Sequence, residues 1–201
     1  MIKTIIFDLG GVLVPFDFKR AYARMELLCP YGVAEIPARL RTTDLVHRYE
    51  TGQIPTPEFI EQLTGVLELR VTQDEFRELW SCIFLPGTLV PESLLASLKL
   101  NYRMLLLSNT NELHFSLVER NYPLLRHFDE FVLSHQVGAA KPSARIYEAA
   151  LERAGCRPEE CFFTDDLLPF VEGARRAGIN AVQFQSADQL EADLRARGIV
   201  W

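Results

Sequence analysis

Residues 2–14 read IKTIIFDLGGVLV, from Ile2 to Val14. The apolar run, rich in Ile, Phe and Val, predicts a strand buried on both faces, ending at a lone carboxylate, Asp8, with Gly10 and Gly11 after it. In an open α/β sheet, ligands bind outside the carboxyl ends of the strands, so Asp8 stands where chemistry is usually done. A turn or helix-capping Asp beside flexible glycines is the competing reading, and the rest of the chain decides between them.

Downstream of Pro86 the pattern predicts alternating elements: helix Pro91–Lys99, strand Arg103–Leu107, helix Glu112–Arg120, strand Glu130–Ser134, then helix Ser143–Ala154 closed by Gly155. Strand Cys161–Thr164, helix Pro169–Ala177 closed by Gly178, strand Ala181–Phe184 and a helix after Ser186 complete the alternation. Strands separated by helices of about ten residues imply βαβ units and a parallel sheet, hence an α/β fold. Between Val14-Pro15 and about Leu85 the strand signal vanishes and apolar residues recur three and four apart. Helices are expected over Lys19–Leu28 and Ala38–Tyr49, the second stopped at Thr51-Gly52. Thr56-Pro57-Glu58 looks like an N-cap and first turn, and Thr72 with Glu75 forms a capping box. A helical module of about 70 residues is therefore inserted after the first strand, dividing the chain into a core (1–15 and 86–201) and an insert (16–85).

The 201 residues, 48% of them apolar, suffice for one sizeable core with a smaller insert. With 27 acidic against 21 basic residues, a net charge of −6 and no Lys/Arg block, neither nucleic acid nor an anionic membrane is an expected partner. An acidic protein that handles an anion must concentrate positive charge locally, through a metal ion or a placed Lys. Cys29, Cys82, Cys156 and Cys161 are scattered without metal-ligand spacing, which suits free thiols in a reducing compartment. No signal-peptide pattern opens the chain, and no apolar run approaches the ~18 residues of a membrane span, so a soluble cytoplasmic protein is expected.

The polar residues that follow the strands carry the functional signal. Ser108-Asn109-Thr110 ends one strand, Lys141-Pro142 lies in the loop after another, and Asp165-Asp166 ends a third. Singly, each reads as a cap, a solvated charge or a turn. Together with Asp8 they gather a carboxylate, a hydroxyl with an amide, an ammonium and a carboxylate pair on one sheet edge. Phosphoryl transfer to a carboxylate needs this set. Clustered carboxylates require a cation, and hard oxygen ligands with few protein contacts suit Mg²⁺. Asp8 would attack phosphorus, and Lys141 with the Ser108 and Asn109 donors would neutralise and orient the phosphoryl oxygens.

FDLGGVLV, LLLSNT, the Lys of GAAKP and FFTDD…VEGA, in that order and spacing, resemble the four motifs of the haloacid dehalogenase-like (HAD) hydrolase superfamily. RYETGQIPTPEF, LLLSNTNELH and KPSARIYEAAL further resemble its branch of α-D-glucose 1-phosphate phosphatases and, more distantly, the phosphatase domain of epoxide hydrolases. The resemblance implies a Rossmann-like, doubly wound core with a helical cap, and a phosphohydrolase that acts on a small phosphorylated metabolite such as a sugar phosphate. Asp8 would be nucleophile and Mg²⁺ ligand, the Gly10 carbonyl a second ligand, Asp166 the direct carboxylate ligand and Asp165 a water-mediated or alternative one. Ser108, Asn109 and Lys141 would hold the phosphate.

Two departures from the family pattern stand out. Most phosphatases of this kind carry a second Asp two residues after the nucleophile, as a general acid-base worth roughly 10² to 10⁴ in rate, and this chain has Gly10. His47 and Glu50 of the insert are the candidates to replace it, and Phe16, Asp17 and Tyr49 are further candidates to face the cleft. Four residues after Asp166, where an Asp or Asn usually supports the metal, stands Phe170, which implies weakened Mg²⁺ binding. A metal-independent 2-haloacid dehalogenase would also lack the second Asp, but has no use for the Asp165-Asp166 pair. A catalytically impaired binding protein has no need of Asp8, Ser108, Lys141 and Asp166 together. Oligomeric state is not legible.

Overall fold

The computed structural model describes all 201 residues, Met1–Trp201. Strand β1 (Thr4–Phe7) is buried throughout because its side chains enter two apolar clusters, Ile5 and Phe7 on one face and Ile6 on the other. It is the centre of a five-stranded sheet with β2 (Arg103–Ser108), β3 (Glu130–Leu133), β4 (Cys161–Asp165) and β5 (Asn180–Gln183), in the order β3-β2-β1-β4-β5. Every pairing is parallel, and the register sets Phe7 beside Leu106 on one side and Thr164 on the other. The strand order reverses at β1, so the crevice outside the carboxyl ends opens directly beyond Phe7.

Five helices between Phe18 and Ser81 fill the segment after β1: α1 (Phe18–Met25), α2 (Ile36–Leu40), α3 (Leu45–Glu50), α4 (Thr56–Leu67) and α5 (Gln73–Ser81). They bury a separate apolar cluster that includes Met25, Ile36, Phe59, Leu63, Phe76 and Trp80. The helices that cover the sheet follow: α6 (Glu92–Lys99), α7 (Glu112–Asn121), the short α8 (Ser134–Val137), α9 (Ala144–Ala154), α10 (Leu168–Arg176) and α11 (Ala187–Ala196). α6, α7 and α11 pack on one face of the sheet and α9 and α10 on the other, giving a three-layer, doubly wound α/β core.

Local chemistry explains where the elements depart from the predicted ones. The single helix expected over Ala38–Tyr49 is two, because the Thr42 and Thr43 hydroxyls bond back to the carbonyls of Arg39 and Leu40 and compete with helical continuation. Thr56 is not the cap of α4. Pro55 holds that position, and the Thr56 hydroxyl instead meets the Tyr49 hydroxyl at 2.8 Å and the Glu112 carboxylate. The Thr72–Glu75 capping box of α5 forms as expected.

The insert joins the core through a narrow neck. Asp17 N donates to the Ile83 carbonyl (2.8 Å) and Leu85 N to the Pro15 carbonyl (2.9 Å), so the two chain crossings run side by side as an antiparallel ribbon around Phe16 and Phe84. Beyond the neck, the His114 imidazole of α7 stacks on Trp80 and its Nε2 lies 3.0 Å from the Trp80 carbonyl, tying core to insert.

Candidate active site

Asp8 follows the last residue of β1, Ser108 ends β2, and Asp165 ends β4, so parallel strands in register deliver all three side chains to one edge. Lys141 reaches the same point from the loop between α8 and α9, with no exposed side-chain surface. Its Nζ lies 2.9 Å from Asp8 Oδ1 and 2.6 Å from Asp165 Oδ2, and donates to the Leu107 carbonyl at 3.1 Å. The rings of Phe163 and Phe170 flank it, their centroids 5.6 and 5.1 Å from Nζ. The position that departs from the family pattern at Phe170 thus supplies an aromatic wall to the one buried ammonium.

Each carboxylate is held by backbone as well. Leu9 N donates to Asp8 Oδ1 (2.7 Å) and Leu167 N to Asp165 Oδ1 (2.9 Å). Asp166 packs its carboxylate against Gly11, whose φ of +77° and lack of room for a Cβ both demand glycine. Asn109 is engaged differently from Ser108: its side chain accepts from Lys141 N (2.7 Å) and donates to the Lys141 carbonyl (3.0 Å), fixing the lysine loop from both sides.

One ligand oxygen from each of Asp8, Asp165 and Asp166 can be chosen so that all lie within 4.8 Å of one another. Three carboxylates against one ammonium leave a surplus of negative charge, and an all-oxygen donor set of this size fits a hard divalent cation such as Mg²⁺. Without a cation, burial raises the Asp8 carboxyl to about 7, the Asp165 charge adding to the rise and Lys141 opposing it. Burial works against the charged form of Lys141, but Asp8 and Asp165 outweigh it and hold the ammonium above its ordinary value. Burial and then Asp165 raise Asp166.

The space beside the missing second Asp is occupied. A Cβ built on Gly10 would stand 2.9 Å from Phe16 Cε1, so the Phe16 ring lies where that side chain would begin. Phe16 meets Phe18 edge-on at 5.3 Å, and Phe18 stacks on Tyr22 at 6.3 Å. Phe18 and Tyr22 wall a cavity of about 370 Å³ in the insert, together with Trp80, Ile83, His47 and Glu50 among others. Of the insert residues singled out in the sequence, His47 and Glu50 therefore share a cavity, whereas Asp17 caps α1 by accepting from Lys19 N and Tyr49 is buried in the helical core. Phe18, Tyr22 and Trp80 carried no sequence signal beyond helical periodicity. Their joint role as a wall depends on how α1 and α5 pack.

A family model described as haloacid dehalogenase-like hydrolase matches residues 2–178. The chain is 30% identical over 192 residues to a D-ribitol-5-phosphate phosphatase of Bacteroides thetaiotaomicron, covering 91% of this chain and 92% of that one. It is 31% identical over 212 residues to a phosphatase of Mycobacterium tuberculosis, covering 99% and 96%. Among solved structures, a HAD family enzyme of Bacteroides thetaiotaomicron in complex with magnesium and inorganic phosphate superimposes with a TM-score of 0.81 at 28% identity, over 92% of this chain and 96% of that one. No helix of the protein is long and apolar enough to cross a membrane. With its parallel sheet, strand-end carboxylates and buried lysine, the chain belongs to the haloacid dehalogenase-like hydrolase family, with named phosphatases among its relatives.

Proposed function

We propose that the protein is a Mg²⁺-dependent phosphatase that hydrolyses a small phosphorylated sugar through an aspartyl-phosphate on Asp8, with residues 16–85 acting as the cap over the leaving group. The observation that carries this reading is the cluster itself, a buried carboxylate and ammonium 2.9 Å apart within a set of three carboxylates. The phosphatase relatives, one of them a D-ribitol-5-phosphate phosphatase, support the substrate class.

In this reading Asp8, Asp166, the Gly10 carbonyl and, through water or directly, Asp165 would hold Mg²⁺. The ion, when bound, supplies charge that offsets the repulsion between a carboxylate nucleophile and a phosphate dianion. An Asp8 oxygen attacks phosphorus as the bond to the ester oxygen breaks, and the leaving alcohol takes a proton. Water then attacks the phosphorus of the aspartyl-phosphate, releasing inorganic phosphate and regenerating the carboxylate. Lys141 and Ser108 face the phosphoryl oxygens, and Asn109 acts by holding the Lys141 loop at both its N–H and its carbonyl. With Gly10 in place of an acid, proton delivery is left to water or to the cap, which favours esters with good leaving groups.

A panel of sugar phosphates with Mg²⁺ tests this. Phosphate release that falls by about 10⁴-fold or more in Asp8→Asn is the expected result. No release from any member of the panel overturns the reading, and halide release from a 2-haloacid without metal replaces it.

A further inference from the structure

Of the four free cysteines, two stand against each other. Cys29 and Cys82 each turn their sulfur to a backbone carbonyl, that of Tyr31 at 3.5 Å and that of Leu79 at 3.1 Å. The Cys156 and Cys161 sulfurs instead lie 3.4 Å apart, in direct contact. The contact forms at the amino ends of β1 and β4, where Thr4 and Cys161 are register partners and the Thr4 hydroxyl stands 3.4 Å from the Cys156 sulfur. Asp8 and Asp165 lie at the opposite end of the same strands, so the phosphoryl-transfer cluster makes no use of this pair.

The two thiols differ in what they can do. Cys161 opens β4 with no exposed surface, in the apolar cluster that holds Ile6 and Phe163, and burial raises its thiol well above the ordinary value. Cys156 is half-buried. It follows Gly155, which closes α9, and precedes the turn at Pro158–Glu160, so its sulfur can move without breaking a helix or a strand pairing. A thiol that solvent reaches, beside one that it does not, matches the roles of an attacking and a resolving cysteine.

We propose that Cys156 and Cys161 form a reversible oxidation site for a hydroperoxide, with Cys156 meeting the oxidant and Cys161 resolving the product into an intramolecular disulfide. The Cys156 sulfur attacks one peroxide oxygen and the O–O bond breaks. The leaving oxygen takes the proton that the thiol gave up, departing as an alcohol, or as water from hydrogen peroxide, and Cys156 becomes the sulfenic acid. The Cys161 sulfur then attacks the Cys156 sulfur, the S–O bond breaks, and the hydroxyl leaves as water with the Cys161 proton. Two thiols and one hydroperoxide thus give one disulfide, one alcohol and one water. From 3.4 Å the sulfurs close to a bond of about 2 Å, a shift that the Cys156 segment can absorb. The disulfide diverts Cys156 from the sulfinic and sulfonic acids, which thiol reductants do not reverse.

The test reads mass on the intact chain and its peptides after equimolar hydrogen peroxide and alkylation of the denatured protein. Both cysteines fall in one tryptic peptide, 154–175, because Arg157 precedes Pro158 and is not cleaved. That peptide is expected about 2 Da lighter than its reduced form and free of alkylation, and dithiothreitol added before the alkylation restores two labelled thiols. Its thiols should disappear about ten-fold or more faster than those of Cys29 and Cys82. In Cys161→Ala, with no resolving thiol, the peptide gains oxygen instead of losing hydrogen. A native peptide that stays doubly alkylated, oxygen on Cys156 beside a Cys161 that still alkylates, or a bond to Cys29, Cys82 or a second chain overturns the proposal. The native map decides this even where the variant does not fold. A folded Cys161→Ala protein whose Cys156 remains an unmodified thiol overturns the assignment of Cys156 as the attacking residue.

Discussion

The sheet edge and the insert cavity solve opposite problems. At the sheet edge, Asp8, Asp165 and Lys141 are buried together, and each charge is matched by another charge or a backbone donor. Around the cavity, the half-buried Glu50 carboxyl is pushed up to about 7 by burial with no ion pair to oppose it, and the Trp80 N–H is sealed in the helical core without an acceptor. The first arrangement holds its charges by pairing them, and the second leaves its carboxyl uncompensated. The difference is between two ways of burying a carboxyl, with its counter-charge in the core and without one in the insert.

The sharpest way to break this contrast is to remove the one cation from the compensated site. Lys141→Met leaves two buried carboxylates facing each other, and unfolding free energy measured without metal should fall by about 3–5 kcal/mol. A melting temperature equal to that of the native protein would mean that the site is not held by its charges. The contact between the regions is next. His114, stacked on Trp80, is held near pKa 4 by burial, well below the ordinary 6.5. Its folded-state pKa is lowered, so no stability is lost above pH 6.5, and about 2–3 kcal/mol is lost as pH falls from there to 4 while only the unfolded chain takes the proton. Denaturation midpoints compared between native protein and His114→Gln across that range check the sign, since the substituted protein should lack this part of the acid sensitivity.

A third test concerns the seam itself. Gly10→Asp alone meets the Phe16 ring and should bring no gain, whereas Gly10→Asp with Phe16→Ala opens the space and should raise kcat on poor leaving groups by roughly 10- to 100-fold. Equal rates for the single and double variants would show that Phe16 is not what excludes an acid there. The smallest expected effect is on the metal. Phe170→Asn exchanges an aromatic neighbour of Lys141 for a polar one and should tighten Mg²⁺ binding about ten-fold by titration calorimetry. Unchanged affinity would remove Phe170 from the account of the metal site.

The same contrast sets what could be read from the chain. Asp8, Ser108 and the Asp165-Asp166 pair were legible because short apolar runs end abruptly in polar residues, Lys141 because it stands in the loop after such a run, and parallel register brings these ends together. The alternation of such runs with helices of about ten residues made the parallel sheet legible as well. The occupant of the space beside Gly10 was not, because Phe16 is placed by pairing with a segment nearly seventy residues away in the chain, around Phe84. Nor was the two-way grip of Asn109 on Lys141, which depends on a loop conformation with no periodic signature. The break between α2 and α3 turned on two threonine hydroxyls that prefer backbone carbonyls one turn earlier, a competition that helical periodicity does not register.

The neck around Phe16 and Phe84 also bears on how the chain finds its fold. β1 pairs with β2 at Thr4 and Arg103, so the whole insert lies inside the loop that this pairing must close. Closing a long flexible loop is entropically costly and slows the formation of non-local contacts. The ribbon between Pro15 and Leu85 brings the two ends of the insert, which buries its own apolar cluster, within one hydrogen bond of each other. The insert then acts as a splice, turning a distant strand pairing into a near one, and the central strand of the sheet can wait for it at little cost.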